Sequence, residues 1–394
     1  MSKRKILYIS GSRADYGPAR RVLLALQKDP EIKLGILVTG MHLDPIHGET
    51  CNEIEADGFE IIDKIYGRVA GDSLSAMAAS VGLYLYGMSF AISRFKPDIV
   101  LVLGDRGEQL AGAMASAFQN IVVAHLCGGS ISGSIDDSIR HAITKFAHYH
   151  LPAFEEHAQR IIQMGENPET VCVVGLPGGN IRPDVRYSRT ETCQKYNLPH
   201  DKPYLLLIQH SVTQTQEDAG CQITETLEAL KDLDYPVLMA NPNDDAGGRV
   251  ILDKMRQYAE IYSHLHILPP PRSRELFASI MANAGAVVGN SSSAVVEAMS
   301  VGRPVVNIGE RQKGREHLAC WINTGYRRND IIRAIRKALM DKEYHRKLES
   351  LSKKISENSA EKQTVSFLKT INLNVAHETK KFFDITLQKN ATTA

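Results

Sequence analysis

The chain has 394 residues and sets 46 Lys plus Arg against 45 Asp plus Glu, a formal net charge of +1. That balance leaves no electrostatic footprint for nucleic acid or an anionic membrane, so a charged partner must be met by local groups. The length predicts about two or three units of roughly 150 residues.

The six cysteines, at 51, 127, 172, 193, 221 and 320, have neither zinc-site spacing nor the density of a disulfide scaffold. The basic start MSKRKILYIS meets Gly11 and Arg13 too soon for a secretory signal. No apolar stretch is read as approaching the roughly 20 residues of a membrane span. A soluble, cytoplasmic protein with no membrane or nucleic-acid partner is expected.

In chain order, short apolar runs alternate with amphipathic ones. KILYIS, IKLGILVTG, DIVLVLGD, IVVAHL and VCVVGLP read as strands, with helices at YGPARRVLLALQK, RGEQLAGAMASAFQN, the segment from Asp136, and EEHAQRIIQMG. The stretch 176–203, LPGGNIRPDVRYSRTETCQKYNLPHDKP, has prolines and polar residues but no strong apolar period. Beyond it come strands YLLLIQH, PVLMAN, LHILPP, AVVGN and PVVNIG, with helices DAGCQITETLEALKDL and SRELFASIMANA between them. Continuous Val, Ile and Leu runs suit parallel strands buried on both faces, and alternation with helices gives βαβ units. The expected fold class is α/β, with two Rossmann-like doubly wound lobes, 1–178 and 199–361, facing across a cleft. Ligands then bind beyond the carboxyl ends of the strands. The polar tail QKNATTA is expected to fray.

Four stretches place chemistry at those strand ends. In ISGSRADYG, Gly11 permits a close turn and Arg13 offers a forked cation to phosphate, or else makes a surface or interface ion pair. In VLVLGDRGE, Asp105 and Arg106 follow a buried strand. Asp105 is either a desolvated acid or base, or the cap of the helix near Gly107. In HLCGGSISGSIDDSIRH, Asp136 and Asp137 open a helix whose positive end favours carboxylates; Asp137 is expected to cap it, leaving Asp136 free to face the cleft. His141 and Lys145 share a face of that helix, where a structural histidine competes with a catalytic one.

The fourth stretch, VVGNSSSAVVEAMSVGRPVVNIGERQKGRE, sets Gly289, Asn290, Ser291 and Ser292 before a helix, a site for a diphosphate. Glu297 within that helix suits ribose hydroxyls, and Arg311 after the next strand suits phosphates. His210 ends YLLLIQH as a proton carrier or phosphate donor. The absence of a GxGxxG fingerprint or P-loop argues against a nicotinamide enzyme or an ATPase, and His42 and His47 do not form a helical metal pair. No cofactor and no metal are assigned. Cys51, Cys172, Cys193, Cys221 and Cys320 are read as small fillers.

Taken together, GSRADYG, VTGMH, LGDR, GGSISGSIDDSIRHAITK, QHSVT, GNSSSAVVEA and NIGERQKGR cover most of residues 3–340. In order and spacing the chain resembles the hydrolysing UDP-N-acetylglucosamine 2-epimerases of sialic-acid-type sugar biosynthesis. The resemblance implies a fold like GT-B glycosyltransferases, a catalytic first lobe, a nucleotide-binding second lobe, and a C-terminal helix near 362–380 returning to the first lobe. It implies loss of the C2 proton and of UDP to give a glycal, then water addition that frees the 2-epimeric sugar. By position, Asp105 and Asp136 match family catalytic acids, His210 its active-site histidine, Arg13 an arginine near the phosphates, and Ser291, Ser292, Glu297 and Arg311 its nucleotide site.

The departure is HLCGGS, where family members often read HIEGGE or HIHGGE. Cys127 and Ser130 stand where glutamates are common. A thiol there is either a tuned acid or base or a small residue making room for a modified sugar. Close relatives that make legionaminic-acid precursors, using 2,4-diacetamido-2,4,6-trideoxy sugars, fit a changed pocket. The nucleotide, UDP or GDP, and the C4 and C6 substituents are left open. A homo-oligomer, dimer or tetramer, is expected. The rival functions are a GT-B glycosyltransferase and a nucleotide-sugar-binding protein with reduced turnover.

Overall fold

Alternate residues of single strands enter cores on opposite sides of a sheet. In β4 (Ile99–Leu103), Ile99, Leu101 and Leu103 pack on one face, while Val100 and Val102 pack on the other. In β7 (Leu205–Ile208), Leu205 and Leu207 are divided from Leu206 and Ile208 in the same way. Double burial explains why these runs lack polar alternation. A computed structural model gives the arrangement for residues 3–71, 73–132, 134–270, 273–313, 320–356 and 360–385.

The first lobe runs β1 (Arg4–Ser10), α1 (Arg13–Lys28), β2 (Ile32–Thr39), α2 (Cys51–Ala56), β3 (Ile61–Ile65), α3 (Leu74–Phe95), β4, α4 (Gly107–Ala117), β5 (Val122–Leu126), α5 (Asp136–Phe146), β6 (Tyr149–Leu151) and α6 (Glu155–Gln163). After α7 (Arg189–Lys195), the second runs β7, α8 (Ala219–Lys231), β8 (Val237–Ala240), α9 (Gly248–Ile261), β9 (Leu265–Leu268), α10 (Arg274–Asn283), β10 (Ala286–Gly289), α11 (Ser292–Ser300), β11 (Val305–Ile308), β12 (Ile322–Thr324), α12 (Arg328–Met340) and α13 (Lys342–Ser356). The sheets are parallel and ordered β3-β2-β1-β4-β5-β6 and β12-β11-β10-β7-β8-β9. Read from the other edge, the second repeats the first. Each reverses its winding between two central strands, β1 and β4 or β7 and β10, where a crevice opens at the carboxyl ends. The expected fold of two Rossmann-like lobes is present.

Several local expectations change. VCVVGLP is no strand: Val171 makes a single bridge with His150, and the following residues run along the sheet without a ladder. The stretch after residue 176 is not a bare linker, because Ile181, Cys193 and Leu198 are buried in the second lobe's core. Cys221 is exposed and so fills no core.

The reading that no segment could span a bilayer also fails. The 22-residue α3 is long and apolar enough by composition, with mean hydropathy 1.4. Its Tyr84, Met88, Ala91 and Ile92 enter the first lobe's core, and the helix lies along α4.

The returning C-terminal helix, α14, spans Ala360–Thr370 and stops short of residue 380. Tyr149 takes over at its end: its hydroxyl donates to the Asn372 carbonyl at 3.0 Å and accepts from the Asn372 N–H at 3.1 Å. Leu368 and Ile371 join the first lobe's core beside α1. The segment QKNATTA lies outside the described residues.

Candidate active site

Four strand ends converge on one cleft. After β1, Ser12 caps α1 and Asp15 completes a capping box. Asp15 also accepts from the Ser10 hydroxyl at 2.5 Å and the Gly11 N–H at 3.0 Å. Burial lifts its carboxyl to about 7, with Glu108 adding to the rise. Gly11 is required by a close approach, since a Cβ there would lie 2.7 Å from Glu108 Cγ. Arg13, the first residue of α1, lines the cleft and donates from Nε to Glu53 at 2.7 Å.

After β4, Asp105 does not cap α4, whose N-terminus has no side-chain cap. It pairs instead with Arg140, which is 1% exposed. Arg140 also donates to Asp137 at 2.8 Å and to the Ser130 carbonyl at 2.9 Å, fixing α5 against the β4 end. Nor does Asp137 cap α5. It lies in the first turn and accepts the Ser132 N–H at 2.9 Å. Asp136 lines the cleft as expected. Burial raises its carboxyl pKa, the charge of Asp105 raises it further, and Arg311 opposes both.

The second lobe supplies His210, Ser291, Ser292, Glu297 and Arg311 to the same cleft. Gly289 brings β10 close to β7, where a Cβ would sit 2.1 Å from the Ile208 carbonyl oxygen. Asn290 is buried behind the lining. Its Oδ1 accepts the His210 N–H at 2.7 Å, its Nδ2 donates to the His210 carbonyl at 2.9 Å, and its carbonyl accepts from Arg311 at 3.3 Å. His210 Nδ1 accepts the Asn243 N–H at 3.0 Å, which places the ring proton of the neutral form on Nε2. Burial, reinforced by Arg311, lowers its pKa to about 3. His210 is therefore neutral, with its Nε2–H available as a donor.

Glu297 is buried with both carboxylate oxygens within 3.0 Å of Arg274 Nη1. Arg274 was not anticipated as part of the site. Neither was Asp245, which accepts from Arg106 at 2.8 Å across the cleft and lies 3.8 Å from Arg311. Burial pushes the Asp245 carboxyl up, but Arg106 and Arg311 outweigh it and hold the group at about 2. Arg311 reaches Asp136 at 3.4 Å, a second contact between the lobes. Asp44, His47 and Asp244 also cluster, with Arg68 bonded to both carboxylates and supplying positive charge between them.

Cys127 and Ser130 are not among the residues lining the cleft. Cys127 follows β5 with φ of +61° and donates its N–H to the Leu151 carbonyl, while the Ser130 hydroxyl turns towards its neighbour's carbonyl. His141 and Lys145 do not line it either: Lys145 pairs with Glu166 at 2.6 Å on the outer side of α5. Of the residues that went unread, Arg140 alone had a local signal, lying three and four positions after the two aspartates on a helix.

A family described as UDP-N-acetylglucosamine 2-epimerase matches residues 24–369. A UDP-N,N'-diacetylbacillosamine 2-epimerase (hydrolyzing) of Legionella pneumophila is 40% identical over 345 residues, 85% of this chain and 89% of its own. A GDP/UDP-N,N'-diacetylbacillosamine 2-epimerase (hydrolyzing) of Campylobacter jejuni is 34% identical, covering 80% and 83%. Among solved structures, the UDP-GlcNAc 2-epimerase from Neisseria meningitidis bound to UDP-GlcNAc aligns with TM-score 0.77 at 18% identity, over 93% of this chain and all of that one. A Rickettsia africae glycosyltransferase aligns at TM-score 0.57 and 11% identity, a likeness of fold alone. With the match spanning both lobes and the sheets that carry the cleft, the chain belongs to the UDP-N-acetylglucosamine 2-epimerase family.

Proposed function

We propose that this nucleotide-sugar 2-epimerase acts hydrolytically on a UDP-linked 2,4-diacetamido-2,4,6-trideoxy sugar, releasing UDP and the free 2-epimer. The observation that carries the sugar's identity is the 40% identity, over most of both chains, to an enzyme named for UDP-N,N'-diacetylbacillosamine. The proposed chemistry has two steps. A base takes the C2 proton while the C1–O bond to the diphosphate breaks and a C1=C2 double bond forms. Water then adds its oxygen to C1, and C2 gains a proton on the opposite face. Inversion at C2 needs proton-transfer groups on two sides of the ring. Asp105 and Asp136, at the ends of different first-lobe elements, are assigned to them.

The leaving diphosphate is assigned to Arg311, the neutral His210 Nε2–H and the start of α11, where Ser291 and Ser292 line the cleft and a helix N-terminus suits an anion. Arg13 stands on the opposite wall. Glu297 is assigned to the ribose, held in place by Arg274.

Incubation with a panel of UDP- and GDP-linked amino sugars in deuterated water tests the reaction. Free nucleoside diphosphate with deuterium at C2 of the released sugar is expected. Transfer of the sugar to an acceptor with C2 unlabelled would instead indicate a glycosyltransferase.

A further inference from the structure

Beside the carboxylates the cleft continues into a second chamber of about 380 Å³. Arg106 and Asp136 line both spaces. The chamber's first-lobe wall is a helical stripe of α3, Leu74, Met77, Val81 and Tyr84, faced by Ile139 of α5. These α3 positions recur every three or four residues, so they form one face of the helix.

Several polar groups around this wall are already engaged, while Glu108, Thr213 and Gln214 also line the chamber. The Ser80 hydroxyl donates to the Ala76 carbonyl at 2.7 Å and accepts the Val69 N–H at 2.9 Å. Arg68 is bonded to Asp44 and Asp244, and Arg106 to Asp245. Against the α3 stripe and Ile139, hydroxyls would meet aliphatic carbon, whereas methyl groups would be buried favourably.

We propose that the chamber receives the C4–C6 edge of the sugar, its 4-acetamido group and its C6 methyl, and thereby selects the substrate. This rests on the substrate reading above. With the diphosphate at the second lobe and C2 at Asp105 and Asp136, the ring's far edge lies beyond those carboxylates. Asp136 stands at the opening between the two spaces. Leu74 and Val81 are thus specificity-determining residues of an apolar subsite.

The test compares kcat/KM for the UDP-linked 2,4-diacetamido-2,4,6-trideoxy sugar with that for UDP-GlcNAc, in the wild type and in Leu74→Gln, Val81→Thr and the double variant. Leu74 is 49% exposed, so its substitution leaves the core intact. The wild type should favour the diacetamido sugar. Each single variant should lower that preference about tenfold, the usual worth of a methyl-sized contact in an apolar pocket, with UDP affinity by calorimetry unchanged. Equal losses on both sugars, or a double variant with the wild-type ratio, would overturn the chamber's role and leave the substrate reading standing. A wild-type preference for UDP-GlcNAc would overturn both.

Discussion

Asp136 combines a buried position, a neighbouring carboxylate and a guanidinium on the facing lobe, the first two raising its proton affinity and the third opposing them. Substituting Asp136→Asn or Asp105→Asn removes a titrating group but keeps its shape. Sugar release should fall by about 10²-fold to 10⁴-fold, as expected for loss of a general acid or base. UDP binding, measured by calorimetry, should persist because the nucleotide contacts are assigned to the second lobe; its loss would contradict that division. Cys127 gives the opposite expectation. Since it does not line the cleft, Cys127→Ser should turn over at close to the wild-type rate, and a hundredfold loss would return the thiol to the chemistry. Asp105, His210 and Arg311 were legible because each follows a strong strand signal and so falls just past a strand end, and Asp136 because it opens an amphipathic helix. Arg274 and Asp245 were not. Their partners, Glu297 and Arg106, are 23 and 139 residues away in sequence, and no local pattern records an ion pair made by tertiary packing.

At the level of elements, the strands read correctly are those buried on both faces, such as β1, β4 and β7. Those missed, β3, β6 and β12, are short or lie at sheet edges, where the apolar run is interrupted as in IIDKI. The C-terminal helix, expected near 362–380 from the family resemblance, ends at Thr370, where the Tyr149 hydroxyl takes up the backbone groups of Asn372. The helix that does form is firmly tied. Leu368 is fully buried, and its carbonyl accepts from Arg4 on β1. Leu368→Ala should destabilise the first lobe by about 2–5 kcal/mol, the range for deleting a buried leucine side chain. Urea unfolding followed by circular dichroism checks this, and a change below about 0.5 kcal/mol, the scale of a surface substitution, would show that α14 is not part of that core.

Across the whole molecule, burial holds three histidines neutral, His42, His125 and His210, each lowered to about 3. In the unfolded chain histidine takes its proton near about 6.5. Between those values the unfolded state binds more protons, so the stabilisation is complete above about pH 6.5 and is lost as pH falls towards 3. The melting temperature should therefore drop steadily from about pH 6.5 to about pH 4 in scanning calorimetry; a flat profile over that interval would mean the rings protonate in place. The path of the chain adds an effect during synthesis. Residues of α14 complete the packing against α1, yet the second lobe lies between the two in sequence. A ribosome adding about 5–20 residues per second spends roughly 10–40 s between finishing the first sheet and delivering Leu368. For that interval the seam on α1 lacks its cover and is open to chaperones, so the first half of the chain to emerge is the last to be sealed.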